Sequence, residues 1–156
     1  SIMKKKINVN KKFKNYFVNQ YYLPNLATKF YKYLNKFANS SIDISDGLFA
    51  DLKKLINNQK LGFIVNLDKV PISKNLKLYI KNNNKKSLNF ISKGDDYQII
   101  FSSSKKNRSY IRKISKRIKQ KITLIGTITN QSKENKIINS ENVVKTLKYE
   151  GYLHNF

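Results

Sequence analysis

The sequence contains no cysteine and no tryptophan, so disulfides and thiolate metal sites are excluded. Proline and glycine are also sparse, at two and five residues, and no repeat or long low-complexity linker interrupts the chain. No apolar run approaches the ~20 residues of a membrane-spanning helix, and no charged n-region followed by an apolar h-region marks a signal peptide. A cytoplasmic protein without a membrane partner is the expectation. The most informative shortage is of acid. Nine Asp and Glu stand against 32 Lys and Arg, for a formal net charge of +23. Such a balance invites a nucleic-acid reading, yet only three of the basic residues are arginine (Arg108, Arg112, Arg117). Nucleic-acid interfaces favour the planar, bidentate fork of Arg. The lysines run from Lys4 to Lys148 among many Asn and Ile, as a charged surface does, so no specific nucleic-acid partner is expected. Any binding to RNA or DNA should be weak, blind to sequence and steeply salt-dependent.

What is present fits one globular domain. The 156 residues are 40% hydrophobic and 12% aromatic, enough to bury a core. The chain opens on Ser1, and its single Met is Met3, which reads as a processed or excised piece of something longer. Residues 1–19, SIMKKKINVNKKFKNYFVN, are basic and weakly patterned and read as a lead-in or linker remnant, with the domain expected over 20–156.

Acid is scarce, but it clusters. Three of the nine acidic residues, Asp43, Asp46 and Asp51, fall in SSIDISDGLFADLKKL, residues 40–55. Ile42 and Ile44 alternate with Asp43 and Ser45 in the two-residue period of a half-buried strand. From Leu48 the period changes, and Leu48, Leu52, Leu55 and Ile56 follow a helical stripe, with Asp46-Gly47 where a cap and a tight turn are needed. Free N–H groups at such a turn favour an anion, while Mg²⁺ prefers carboxylates and phosphate oxygens. Without a ligand, Asp46 simply caps its helix, a contribution of about 1 kcal/mol, and Asp43 is a solvated strand residue.

Elsewhere, Pro24 is placed to start a helix whose apolar face is Leu26, Phe30, Tyr33, Leu34 and Phe37. A strand is expected over 61–70, ended by Pro71, then short helices over 73–83 and 85–91. Gly94-Asp95-Asp96 turns into a strand from Tyr97 to Phe101, and its two adjacent carboxylates repel unless a cation, a donor or water relieves them. Residues 105–121 hold nine basic residues around the stripe Ile111, Ile114, Ile118, as a solvated helix covering a sheet would. Residues 122–129 read as a strand with a bulge at Gly126, residues 130–136 as a polar turn, and 137–139 and 143–148 as short strands. The pattern predicts an α+β fold, a single mixed β-sheet packed with helices.

IDISDGLFADL, SKGDDYQIIF at 92–101 and the terminal EGYLHNF together resemble the signatures of thiamine-monophosphate kinases, which belong to the aminoimidazole-ribonucleotide synthase superfamily. SKGDDYQIIF resembles that family's S-G-G-E-D-Y-E-L-x-F, and EGYLHNF its G-Y-D-H-F. The three stretches occur in the family's order over residues 20–156, corresponding to a C-terminal half. The resemblance implies ATP-dependent phosphorylation of thiamine monophosphate to thiamine diphosphate with Mg²⁺, in a homodimeric enzyme. It implies Mg²⁺ ligation by Asp43 and Asp46, ATP contact by Ser45, and substrate contact by Asp95 and by Tyr149. Lys93, Asp95, Gln98, Leu153 and Asn155 depart from the family pattern, and no acidic cluster precedes Asp43, where the family's N-terminal half carries one. The isolated chain is therefore expected to be inactive without an N-terminal half. The alternatives are a non-catalytic basic module binding nucleic acid or a phosphate ligand, and another ATP-using enzyme of the superfamily. The sequence leaves nucleotide preference open. Crowding of Asp43 against Asp46 is expected to disfavour the fold slightly in the absence of a cation.

Overall fold

The computed structural model of the chain describes residues 10–26, 28–56, 59–94, 96–130 and 135–139. Helix α1 spans Lys11–Tyr22, where the sequence reads as a basic lead-in or linker remnant. Two local features account for it. The Asn10 side chain accepts a hydrogen bond from the Phe13 N–H at 3.0 Å, satisfying one of the free donors of the first turn. Phe13 and Phe17 then share one face and pack edge-on against Tyr79 of helix α4 (Lys74–Asn82), at centroid separations of 6.0 and 5.9 Å. The helix thus crosses the boundary expected at residues 19–20. Beyond it, Pro24 does not begin a helix, and among the described residues of the next segment Tyr31–Leu34 (α2) are helical. Leu26 is exposed there, whereas Phe30 and Phe37 are buried and meet Phe101 with centroids 5.3–5.4 Å away. The aromatic stripe is core, as expected, but a loop delivers it.

Strands β1 (Ala38–Asp43) and β3 (Ile99–Ser103) pair antiparallel, with Ile42 opposite Ile100 and Asp43 opposite Ile99. Strand β2 (Gly62–Asn66) is the centre of a second sheet, antiparallel to β4 (Gly126–Thr129) and parallel to β5 (Asn135–Ile138). The α+β class and a mixed sheet are as expected, but the described strands form two sheets instead of one. Helix α3 (Leu48–Ile56) joins them. It buries Leu48, Phe49, Leu52 and Ile56 in a core shared with Phe63 and Val65 of β2, Ile100 of β3 and Ile137 of β5. Ile91, from the short helix α5 (Leu88–Ile91), completes that core near the turn that follows.

The strand expected to reach Val70 stops at Asn66 and gives way to a 3₁₀ turn, Leu67–Lys69, in which the Asn66 side chain accepts from the Asp68 N–H. Gly126 is not a bulge. It lies opposite Val65, where a Cβ would come within 2.2 Å of the Ile64 carbonyl oxygen, so the close approach of two backbones selects glycine. The irregularity instead lies in β1, between Ala38 and Ser40. Helix α6 (Arg108–Arg117) buries Ile114 and leaves Arg112, Lys113, Lys116 and Arg117 exposed, as a solvated covering helix should. Among the described residues, no helix is long and apolar enough to cross a membrane. The strand expected at 143–148 lies outside the described residues.

Candidate functional site

Two turns, distant in sequence, meet at the ends of β1 and β3. The first, Ser45-Asp46-Gly47, carries the chain from β1 into α3. The second, Ser92-Lys93-Gly94, leads from α5 towards β3. Pairing between the strands extends past their formal ends, with the Ile44 N–H donating to the Gln98 carbonyl at 2.8 Å and the Tyr97 N–H to that of Ile44 at 2.9 Å. The turns then press together backbone to backbone. A Cβ on Gly47 would meet the Ser92 carbonyl oxygen at 2.5 Å, and one on Gly94 would meet that of Ser45 at 1.8 Å. Gly47 also has φ of +120°, a conformation open to glycine and strained for other residues. Two of the three signature stretches thus form one structural unit, and both glycines are required by it.

The turn is fixed by a residue to which the sequence pattern alone assigned no role. Asp51, in the first turn of α3, is 0% exposed. Its Oδ2 accepts from the N–H groups of Ser45, Asp46 and Gly47 at 3.0, 3.0 and 3.2 Å. A carboxylate here is further favoured by the positive end of the helix dipole. The expected free N–H groups are therefore already occupied, by an anion belonging to the chain itself. A phosphate at this turn would have to be met by side chains and by a cation. The signal for Asp51 was in the sequence: with Leu48, Leu52 and Leu55 it falls on the stripe i, i+3, i+4, i+7, so a charge occupies a core-facing position.

Lys54 completes the arrangement. Its ammonium donates to Asp46 Oδ2 and, at 2.9 Å, to Asp51 Oδ1. The Asp46 side chain is 22% exposed and that of Lys54 49%. The Asp46 carboxylate, followed by that of Asp51, raises the Lys54 amine above its ordinary 10.5. This pairing removes the expected penalty at Asp46, because a cation already offsets the carboxylate charge.

A half-exposed pair of this kind contributes a few tenths to about 1 kcal/mol. The folded chain holds the Lys54 proton more tightly than the unfolded chain does. Its contribution is therefore complete below the ordinary lysine range and is lost as pH rises through the raised value. In thermal melts, Lys54→Met should be slightly less stable than wild type near neutral pH. That difference should shrink as the pH passes 10.5.

Of the residues expected to act at the site, Asp43 is exposed at the end of β1, and Ser45 and Asp46 are half-buried in the adjoining turn. Asp95 and Tyr149 lie outside the described residues, as do the terminal motif and His154. Among the described residues, no group of three or more His, Cys, Asp or Glu is placed to hold a metal. The donors present nevertheless suit Mg²⁺. Asp43, Ser45 and Asp46 offer hard oxygens, Mg²⁺ commonly takes one or two carboxylates and completes its shell with water and phosphate, and the Lys54 ammonium shows that this corner attracts positive charge.

No family model matches the chain. Curated relatives do. The chain is 37% identical over 130 residues to the thiamine-monophosphate kinase of Buchnera aphidicola subsp. Acyrthosiphon pisum, covering 82% of the chain and 40% of that protein. It is 39% identical over 125 residues to the enzyme of the same name from Buchnera aphidicola subsp. Schizaphis graminum, covering 78% and 37%. The structure superimposes on a solved one described as AaThiL complexed with AMPPCP and TMP, with a TM-score of 0.74 and 23% identity over 99% of this chain and 45% of that one. The chain thus shares the α+β fold of that solved protein. In sequence the chain is related to the thiamine-monophosphate kinases, and it spans less than half the length of the relatives it matches.

Proposed function

We propose that this chain, helix α1 included, acts as the C-terminal domain of a thiamine-monophosphate kinase, which transfers the γ-phosphoryl group of ATP to thiamine monophosphate and releases ADP and thiamine diphosphate. The observation that carries this reading is the union of the Ser45–Gly47 and Ser92–Gly94 turns. It brings the backbone of Ser45 and Asp46 against Gly94, the residue that precedes Asp95 in the chain, which supports a shared role for the two stretches. The solved protein with the same fold holds AMPPCP and TMP, an ATP analogue and a ligand whose abbreviation matches thiamine monophosphate.

Phosphoryl transfer depends chiefly on positioning and on neutralising charge. In this reading Asp43 and Asp46 hold Mg²⁺, which when bound neutralises phosphate charge and orients the transferring group. The Ser45 hydroxyl donates to a phosphate oxygen. Asp51 keeps the turn rigid by engaging its N–H groups. Asp95 and Tyr149 contact thiamine monophosphate, Tyr149 against its ring system. The remaining metal and nucleotide ligands come from an N-terminal half, in a homodimeric, cytoplasmic enzyme.

The test is complementation. The chain alone, given ATP, Mg²⁺ and thiamine monophosphate, should form no thiamine diphosphate. Adding the part of a Buchnera relative that this chain does not span should restore turnover. Turnover by the chain alone would contradict the half-enzyme reading. A properly assembled complex that binds neither ATP nor thiamine monophosphate would contradict the kinase reading itself.

A further inference from the structure

The Lys54 ammonium occupies a revealing position. It bridges Asp46, assigned above to the metal, and Asp51, which secures the turn. These two contacts differ in what depends on them. Asp51 is fully buried, and its other oxygen accepts three backbone N–H groups, so its place in the turn does not rest on Lys54. Asp46 is partly open to solvent, where a divalent cation with its waters could reach it. Lys54 itself is half-exposed. Its flexible four-carbon stem lets the ammonium swing into water at little cost.

We propose that Lys54 is the resident cation of this site: it lies on Asp46 while no divalent ion is bound, and leaves that carboxylate when one enters. The inference rests on the assignment of Asp46 to the metal and adds to it a device that sets metal affinity. A divalent ion and an ammonium in contact with the same carboxylate oxygen repel each other, so the two bind in competition. The divalent ion has the advantage of double charge, whereas the ammonium is tethered to the helix that carries Asp51. Without Lys54, two carboxylates in adjacent turns of backbone would face each other with less compensation, and the site would be open to any passing cation. With it, weakly held monovalent ions are excluded. Lys54 is thus a positioning residue, acting through Asp46.

Manganese is a suitable probe, because free Mn²⁺ is read directly by electron paramagnetic resonance without turnover. Titrations at fixed ionic strength compare the wild-type 156-residue chain with Lys54→Gln, which keeps a hydrogen-bond donor for Asp51 and removes the charge. Loss of a competing exposed ion pair predicts about fivefold tighter Mn²⁺ binding. Asp46→Asn should abolish the gain. Binding by Lys54→Gln and none by wild type would support the proposal equally. Equal affinity in the two chains, with loss on Asp46→Asn, would overturn it while leaving Asp46 as a metal ligand. Binding in neither would overturn both assignments. A second measurement is independent of how that variant folds. In wild-type chain carrying ¹³C-dimethylated lysines, added Mg²⁺ should move the Lys54 resonance, identified by its loss in Lys54→Arg, towards those of solvated lysines. A resonance that stays in place while Mg²⁺ binds would overturn the proposal.

Discussion

Asp51→Ala is expected to lower folding stability by about 3–5 kcal/mol, the scale of removing a buried carboxylate that satisfies several backbone donors at once. Three N–H groups would lose their acceptor at once, at 45, 46 and 47, and each buried orphan costs about 1–3 kcal/mol unless water reaches it. Against a total of roughly 5–15 kcal/mol, that loss is a large fraction of the stability. Asp51→Asn should not rescue it. Oδ2 faces three donors and Oδ1 faces the Lys54 ammonium, so both positions need an acceptor, and an amide supplies only one. Urea unfolding of both variants measures the effect. A change below about 1 kcal/mol in each would mean that the turn is held by something other than this carboxylate.

Gly94→Ala is the second large effect, and it arises from space alone. The added Cβ would lie 1.8 Å from the Ser45 carbonyl oxygen and 2.8 Å from its carbon, both backbone atoms that no side-chain rotation can move. The turns must separate, at a cost of about 1–3 kcal/mol or somewhat more, as for other forced overpacking. Separation also moves Ser45 and Asp46 away from the segment entering Asp95. In the complemented enzyme, Gly94→Ala should therefore raise KM for both substrates and depress kcat even where enough protein stays folded. Lys93→Ala serves as the control, since Lys93 is exposed and its loss leaves the approach intact. Wild-type melting and turnover in Gly94→Ala would show that the two turns need not touch.

The parts of this architecture that could be read in advance are those with local periodicity. Ile42 and Ile44 announced a strand, and Leu48, Leu52, Leu55 and Ile56 a helix, and both lie where expected because each exposes one face to a common core. The split into two sheets was not legible, since the pairing of Ile42 with Ile100 is a long-range choice that no local pattern encodes. Helix α1 was missed because its lysines masked Phe13 and Phe17, whose spacing has meaning only once Tyr79 is there to receive them. The site was legible as a set of residues and misread in its mechanics. Asp46 looked like the cap, but the buried carboxylate four residues after Gly47 takes all three N–H groups of the turn. Lys54, one more lysine in a lysine-rich sequence, carried no signal until the fold brought it to Asp46. The crowding expected to make Asp46 a burden is consequently offset, and Asp46→Asn should cost up to about 1 kcal/mol instead of raising stability.

Within the acidic cluster, Asp51 holds the fold, while Asp43 and Asp46 are the residues proposed to serve the chemistry. Paired melting and turnover measurements on Asp43→Asn and Asp46→Asn in the complemented enzyme test that division most directly. Both variants should melt within a few degrees of wild type, as expected for changes of at most about 1 kcal/mol, and both should lose turnover by roughly a hundredfold or more, the scale of losing a group that stabilises transition-state charge. Wild-type turnover in both variants would contradict this division, because side chains that hold the metal against phosphate cannot be neutralised without loss.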